Sequence, residues 1–199
     1  MYKRQPSDSA VHEGSPLGPG SPYGTSKLAQ EQLALRAGQD DGVPVVVTRS
    51  FNHIGPRQDP GFIAASIARQ VARIEAGLDE PVIAVGNLEP KRDLMDVRDT
   101  VRAYEALMAG GRAGEVYNVC AGHAIAMRAL LEGMVGRARV PVRIFQDPAR
   151  FRPNDTPLSL GDCTKLRTDT GWTPRYSLDE TLDALLASAR EALASPEPS

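Results

Sequence analysis

Apolar positions along this chain fall into two patterns that take turns from residue 21 onward. One has the helical period. In "FIAASIARQVARIEAG" (62–77) apolar residues recur at Ile63, Ile67, Val71 and Ile74, which places them on one helical face, with Gly77 as the C-cap. The other pattern is a short continuous apolar run, as in "VPVVVTRSF" (43–51), "PVIAVG" (81–86), "EVYNVC" (115–120) and "VPVRIFQ" (140–146). Runs of that length rich in Val and Ile predict strands buried on both faces.

Capping residues mark the helix ends. Ser21 and Pro22 open a helix that is expected to reach about Ala37, where Gly38 through Gly42 stop it. "DVRDTVRAYEALMAGG" (96–111) starts with Asp96 as N-cap and Asp99 three residues on. Helices are also expected over roughly 126–138 and over "DCTKLRTDTG" (162–171), the latter ended by Gly171. A capping box, Ser177-Leu178-Asp179-Glu180, opens the last helix. Residues 1–20 are rich in Pro, Gly and Ser without periodicity and predict a loop or disordered leader; 193–199 predict a disordered tail. Strands alternating with helices predict an α/β fold with a parallel sheet.

Composition narrows the function classes. Charged residues are 24% and the formal net charge is −2, which gives no electrostatic footprint for nucleic acid. Cys120 and Cys163 are far apart in sequence and fit no metal or redox spacing, so they are read as buried or incidental thiols. His12, His53 and His123 are dispersed, and no metal motif is present. No apolar run approaches membrane-spanning length and no signal-peptide core opens the chain, so the expectation is a cytoplasmic protein with no membrane partner.

The candidate chemistry begins at "SPYGTSK" (21–27), where Tyr23 and Lys27 are four apart on a helix and share a face. A phenol ionises only at about pH 10. A neighbouring ammonium favours the phenolate, and such a pair can move a proton to or from a carbonyl or alcohol oxygen. Tyr-x-x-x-Lys by itself is weak, since any helix can carry it by chance. Its setting is more specific: "VVVTRSFNHIGPR", "KRDLMDVRDTVRAY", "GEVYNVCAG", "FRPND" and "GWTP" follow in that order.

Over roughly residues 16–190 the chain resembles the extended short-chain dehydrogenase/reductase (epimerase/dehydratase) family of nucleotide-sugar enzymes. "FNHIGPRQDPGF", "VGNLEPKRD" and "DPARFRPND" look most like its GDP-mannose branch of 4,6-dehydratases and GDP-4-dehydro-6-deoxy-D-mannose reductases. "RSFNHIGP" through "YNVCAG" is more similar to the reductases, which form GDP-D-rhamnose. The resemblance implies a Rossmann-like doubly wound sheet. Residues 21–58 would belong to that domain, and 59–192 to a smaller substrate-binding region interleaved with its last elements. It also implies NAD or NADP as cofactor, a GDP-sugar as substrate, and a homodimer formed through the Tyr–Lys helix.

Carried over position by position, the resemblance makes Tyr23 the proton donor and Lys27 its electrostatic partner and a ligand of the nicotinamide ribose. It puts His53 against the nicotinamide half of the cofactor and Asn52 on the sugar nucleotide. Arg92 contacts the nucleotide or diphosphate, Arg152 the phosphate oxygens and Asp155 a ribose hydroxyl. The residue types suit these tasks, a guanidinium fork for phosphate and a carboxylate for hydroxyls. Bland alternatives stand beside them. Asn52 as a loop cap, His53 as a solvated loop residue, Arg92–Asp93 as a surface pair, and Arg150, Arg152 and Asp155 as a solvated charge cluster are all open at this point. Trp172 and Tyr176 read as packing.

The pattern breaks at the N-terminal side. The family's G-x-G-x-x-G loop is absent from this sequence: "GPGSPYG" has the wrong spacing after coil, and "GGRAG" follows a helix. The Ser or Thr expected on a strand before the Tyr has no counterpart, and neither Ser7 nor Ser9 is nominated. With that position go the acid that marks dehydratases and the residue that selects NAD or NADP. The expectation is an N-terminally truncated chain, with little or no activity alone and prone to association. A non-catalytic GDP-sugar-binding fragment is the reading from another class.

Overall fold

The computed structural model describes residues 9–151 and 156–194. In chain order the elements are α1 (Pro22–Asp41), β1 (Val47–Ser50), β2 (Asn52–Ile54), α2 (Ile63–Glu75), β3 (Val82–Val85), β4 (Lys91–Asp96) and α3 (Val97–Gly110). They continue with β5 (Val116–Val119), β6 (Ala124–Ala126), α4 (Met127–Val135), β7 (Arg143–Gln146), a 3₁₀ turn (Pro148–Arg150), β8 (Leu158–Ser159), α5 (Thr164–Thr170) and α6 (Leu178–Ala194). The alternation is α/β and its two long strand pairs are parallel, as the hydrophobic pattern predicts.

The described chain divides into two compact units. The first takes the chain through His53, then Arg92–Ala124 and Leu158–Arg175. Its central pair is β1 with β5, in register from Val47 opposite Val116 to Ser50 opposite Val119. The run at 43–51 yields only a four-residue strand, because pairing begins where the Gly114 amide reaches the Val45 carbonyl and Pro44 has no N–H to donate. The core joins Val11, Phe51, Met95, Leu107, Tyr117, Val119, both cysteines, Leu166 and Trp172. Trp172 is buried, as the packing reading expects.

One local expectation is corrected in this unit. Helix α1 passes Gly38 and ends at Gly42, whose φ of 69° is the left-handed conformation that favours glycine. Gly38 serves close packing instead, since a Cβ there would lie 3.2 Å from the Val43 carbonyl oxygen. Val11, within the segment read as a loop or disordered leader, has fixed partners. Val11 bridges in parallel to Gly161, and its carbonyl accepts from Asn118 Nδ2 at 2.8 Å.

The second unit comprises Ile54–Lys91, Ile125–Pro157 and the chain from Tyr176 on. Its spine is α2, with Ala64, Ala65, Ile67, Ala68, Val71, Ala72 and Ile74 buried and packing against α4, α6 and β3. Strand β3 pairs in parallel with β7, Val82 opposite Arg143. Strand β7 is exposed along its whole length, against the expectation of a strand buried on both faces, because no described element of this unit packs over Ile144 and Phe145. The capping box of α6 is formed in both directions: Ser177 N–H donates to Glu180 Oε2 at 2.8 Å and Glu180 N–H to Ser177 Oγ at 3.2 Å. Strands β2, β4 and β8, which fall almost wholly in the first unit, pair around β4.

Glu75 locks α2 to α6 in the second unit. Arg190 binds its carboxylate twice, at 2.7 Å each, and the Arg139 N–H adds a third bond at 2.9 Å. The Arg190 bond, against the opposing effect of burial, holds the Glu75 carboxyl below its ordinary range. A carboxyl lowered by folding stabilises fully above the unfolded value and loses that contribution as pH falls through the folded one. Melting temperature followed by circular dichroism is expected to fall on acidification, and Glu75→Gln to flatten the fall. Equal acid sensitivity of the two proteins would contradict this account.

Candidate functional site

Five of the seven candidate residues lie in the first unit. Tyr23 and Lys27 stand on the opening turns of α1, where Ser21 Oγ accepts from the Gly24 N–H at 3.1 Å and Pro22 takes a first-turn position. Lys27 Nζ sits 5.6 Å from the centre of the Tyr23 ring and donates to Gln30 Oε1 at 3.1 Å. Tyr23 is 54% exposed. Asn52 and His53 are on β2 and Arg92 is on the neighbouring β4. The structure thus brings the candidates into two groups, a helix-borne pair and a strand-borne trio. Arg152 and Asp155 lie outside the described residues.

What fixes α1 is a buried ion pair that the sequence reading missed. Only Gly24 and Glu31 are buried on this twenty-residue helix. Glu31 receives Arg49 of β1 through Nε at 2.9 Å and Nη2 at 2.5 Å, with side-chain exposures of 1% and 7%. Arg49 Nη1 also donates to the Glu13 carbonyl at 2.8 Å, and the Glu13 carboxylate accepts from the Asn118 N–H at 2.8 Å. Charges taken from water need this full complement of partners. The signal was present as an arginine inside the apolar run 43–51, where a strand buried on both faces has no other use for a charge.

Asp93 is the second missed residue. The surface-pair reading of Arg92 and Asp93 fails, since Asp93 is fully buried. Its carboxylate accepts from the N–H groups of Ala121 at 2.8 Å, Gly122 at 3.0 Å and Gly161 at 3.2 Å. Burial pushes its pKa up, and the three amides oppose the rise. Successive strand residues face opposite ways, so anchoring Asp93 also sets the direction of Arg92. Among the described residues there is no cluster of three or more metal-ligating side chains. No helix among them is long and apolar enough to cross a membrane.

Residues 3–185 match the family model described as GDP-mannose 4,6 dehydratase. The chain belongs to that family. GDP-6-deoxy-D-mannose reductase of Pseudomonas aeruginosa is 42% identical over 177 residues, covering 89% of this chain and 58% of that protein. Human GDP-mannose 4,6 dehydratase is 30% identical over 186 residues, covering 84% of this chain and 50% of that one. Among solved structures, RMD from Pseudomonas aeruginosa complexed with NADPH superposes with a TM-score of 0.90 at 38% identity, over 96% of this chain and 64% of that one. UDP-glucose 4-epimerase of Thermotoga maritima with UDP-glucose gives 0.77 at 30% identity, over 96% of this chain and 60% of that one. The chain therefore spans about half to three-fifths of the length of these curated relatives. Family membership and Rossmann-like α/β fold agree with the resemblance read from the motifs.

Removing one partner of the buried pair strands a charge. Arg49→Ala is expected to cost about 3–5 kcal/mol of stability, the usual range for a buried pair broken on one side. Replacing both, as Glu31→Leu with Arg49→Met, is expected to recover most of it. Urea titrations of the three proteins check this, and a single variant as stable as the parent would contradict it.

Proposed function

We propose that this chain carries the substrate side of a nucleotide-sugar oxidoreductase, one that reduces the 4-keto group of GDP-4-dehydro-6-deoxy-D-mannose and so forms GDP-D-rhamnose. The observation that carries this reading is the exposed Tyr23–Lys27 pair, 5.6 Å from ammonium to ring centre, in a chain 42% identical to a GDP-6-deoxy-D-mannose reductase.

The nicotinamide half of NADPH or NADH fits the residues present. Tyr23 is accessible on α1, Lys27 stands beside it and His53 is exposed on β2. The adenosine half finds no G-x-G-x-x-G loop in this sequence. A reduced nicotinamide held there would supply hydride to C4 of the sugar. Tyr23 gives its proton to the C4 oxygen, so that the carbonyl becomes a hydroxyl. Lys27 stabilises the negative charge left on the phenolic oxygen and holds ribose hydroxyls. Asn52 hydrogen-bonds the sugar nucleotide and Arg92 takes the diphosphate with its guanidinium fork. Arg152 and Asp155 complete the grip, on phosphate oxygens and a ribose hydroxyl. The exposed side of α1, where Leu33 is 70% exposed, is read as the surface of a homodimer.

A second reading has its own support. The matching family model is described by the 4,6-dehydratase, in which the same Tyr and Lys would assist oxidation at C4 before water is lost. A third, a GDP-sugar-binding chain without catalysis, rests on the presence of the substrate-side residues beside the missing dinucleotide loop.

The test is a chimera in which this chain replaces the matching stretch of the Pseudomonas reductase. NADPH consumption with the 4-keto GDP-sugar is expected, and Tyr23→Phe is expected to lower kcat by about 10²–10⁴-fold, the range for a general acid. A chimera that instead eliminates water from GDP-mannose, or a Tyr23→Phe variant as active as its parent, would overturn the reductase reading. A folded chimera that binds the sugar nucleotide without turnover would favour the third.

A further inference from the structure

We propose that Cys120 and Cys163 form a redox-modification site, a dithiol that closes to an intramolecular disulfide when hydrogen peroxide oxidises it. The two cysteines look unrelated in sequence, yet they belong to one core cluster, with exposures of 0% and 3%. Cys120 directly follows β5, and Cys163 is the N-cap residue of α5.

The segments carrying them are held side by side in three independent ways. Each sulfur lies against the other segment's glycine. A Cβ on Gly161 would stand 2.5 Å from Cys120 Sγ, and a Cβ on Gly122 would stand 3.5 Å from Cys163 Sγ. The buried Asp93 carboxylate binds both segments at once, through the Ala121 and Gly122 amides just after Cys120 and the Gly161 amide just before Cys163. Arg167 of α5 also donates to the Ala121 carbonyl at 3.2 Å. A disulfide here would join segments of chain that already touch, so the cross-link calls for no long-range movement.

The roles within the pair are unequal. The Cys120 thiol and the nearby Arg167 guanidinium favour the Cys163 thiolate against the cost of burial, while Cys163 and burial keep the proton on Cys120. The thiolate is the nucleophile in thiol oxidation. Cys163 attacks one peroxide oxygen, the O–O bond breaks, hydroxide leaves and a sulfenic acid forms. The Cys120 sulfur then attacks the Cys163 sulfur, its proton going to the departing oxygen, which leaves as water. In total the two thiols lose two electrons and two protons, and one peroxide becomes two waters. The cross-link ties the end of β5 to the start of α5, and a thiol reductant reopens it.

The experiment is oxidation of the folded chain with hydrogen peroxide, followed by denaturation, alkylation with N-ethylmaleimide and intact-mass measurement. The expected product is an unalkylated monomer lighter by two hydrogens, with a Cys120–Cys163 linked peptide, a higher melting temperature than the reduced chain, and full reversal by dithiothreitol. In Cys120→Ser the resolving sulfur is gone, and Cys163 is expected to stop at a sulfenic acid that dimedone traps. Two alkylated thiols after peroxide, oxygen addition without a link, or a disulfide only between chains would each overturn the proposal. The wild-type mass and peptide map decide the matter even if the variant folds poorly.

Discussion

A buried ion pair between Arg49 and Glu31 is the contact on which the first unit's arrangement depends. Helix α1 has almost no apolar face of its own to bury, with Gly24 and Glu31 as its only buried residues. Its attachment to the sheet therefore rests on two charge-assisted bonds to β1, backed by the Glu13 carbonyl. Such a pair contributes little net stability against an apolar replacement but is costly to break from one side. What it supplies is direction. It holds the helix that carries Tyr23 and Lys27 on the strand that runs, through Phe51, into Asn52 and His53.

Asp93 does the same for the other half of the candidate site. Three backbone amides converge on a carboxylate with no access to water, so the chain on either side of it is fixed. Arg92 precedes that anchor and therefore inherits its orientation. The same convergence draws together the segments of Cys120 and Cys163, so one buried carboxylate bears both on the strand of Arg92 and on the two cysteine segments.

Much of this was legible in the sequence because the signals were local. Asp96 caps α3, Gly171 ends α5, and the Ser177–Glu180 box opens α6, each a matter of a few neighbouring residues. The apolar face of α2 followed from periodicity, and the strands at 82–85 and 116–119 from short continuous apolar runs. The Tyr–Lys pair was legible as a spacing and became specific through the order of the motifs around it. What escaped was non-local. Nothing near Arg49 indicates Glu31, nothing near Cys120 indicates Cys163, and Val11 shows no pattern of its own, because its place is set by Gly161 and Asn118. Asp93 was misjudged for the same reason, since its partners come from two distant loops.

The central proposal is that this chain binds a GDP-sugar through Asn52 and Arg92. Calorimetric titration of the purified chain with GDP-mannose, and separately with NADPH, tests it most directly. The account predicts that GDP-mannose binds, that Arg92→Ala weakens that binding, and that NADPH binds far less well. Silence with GDP-mannose from a folded chain would contradict it and leave Tyr23 and Lys27 as marks of ancestry alone.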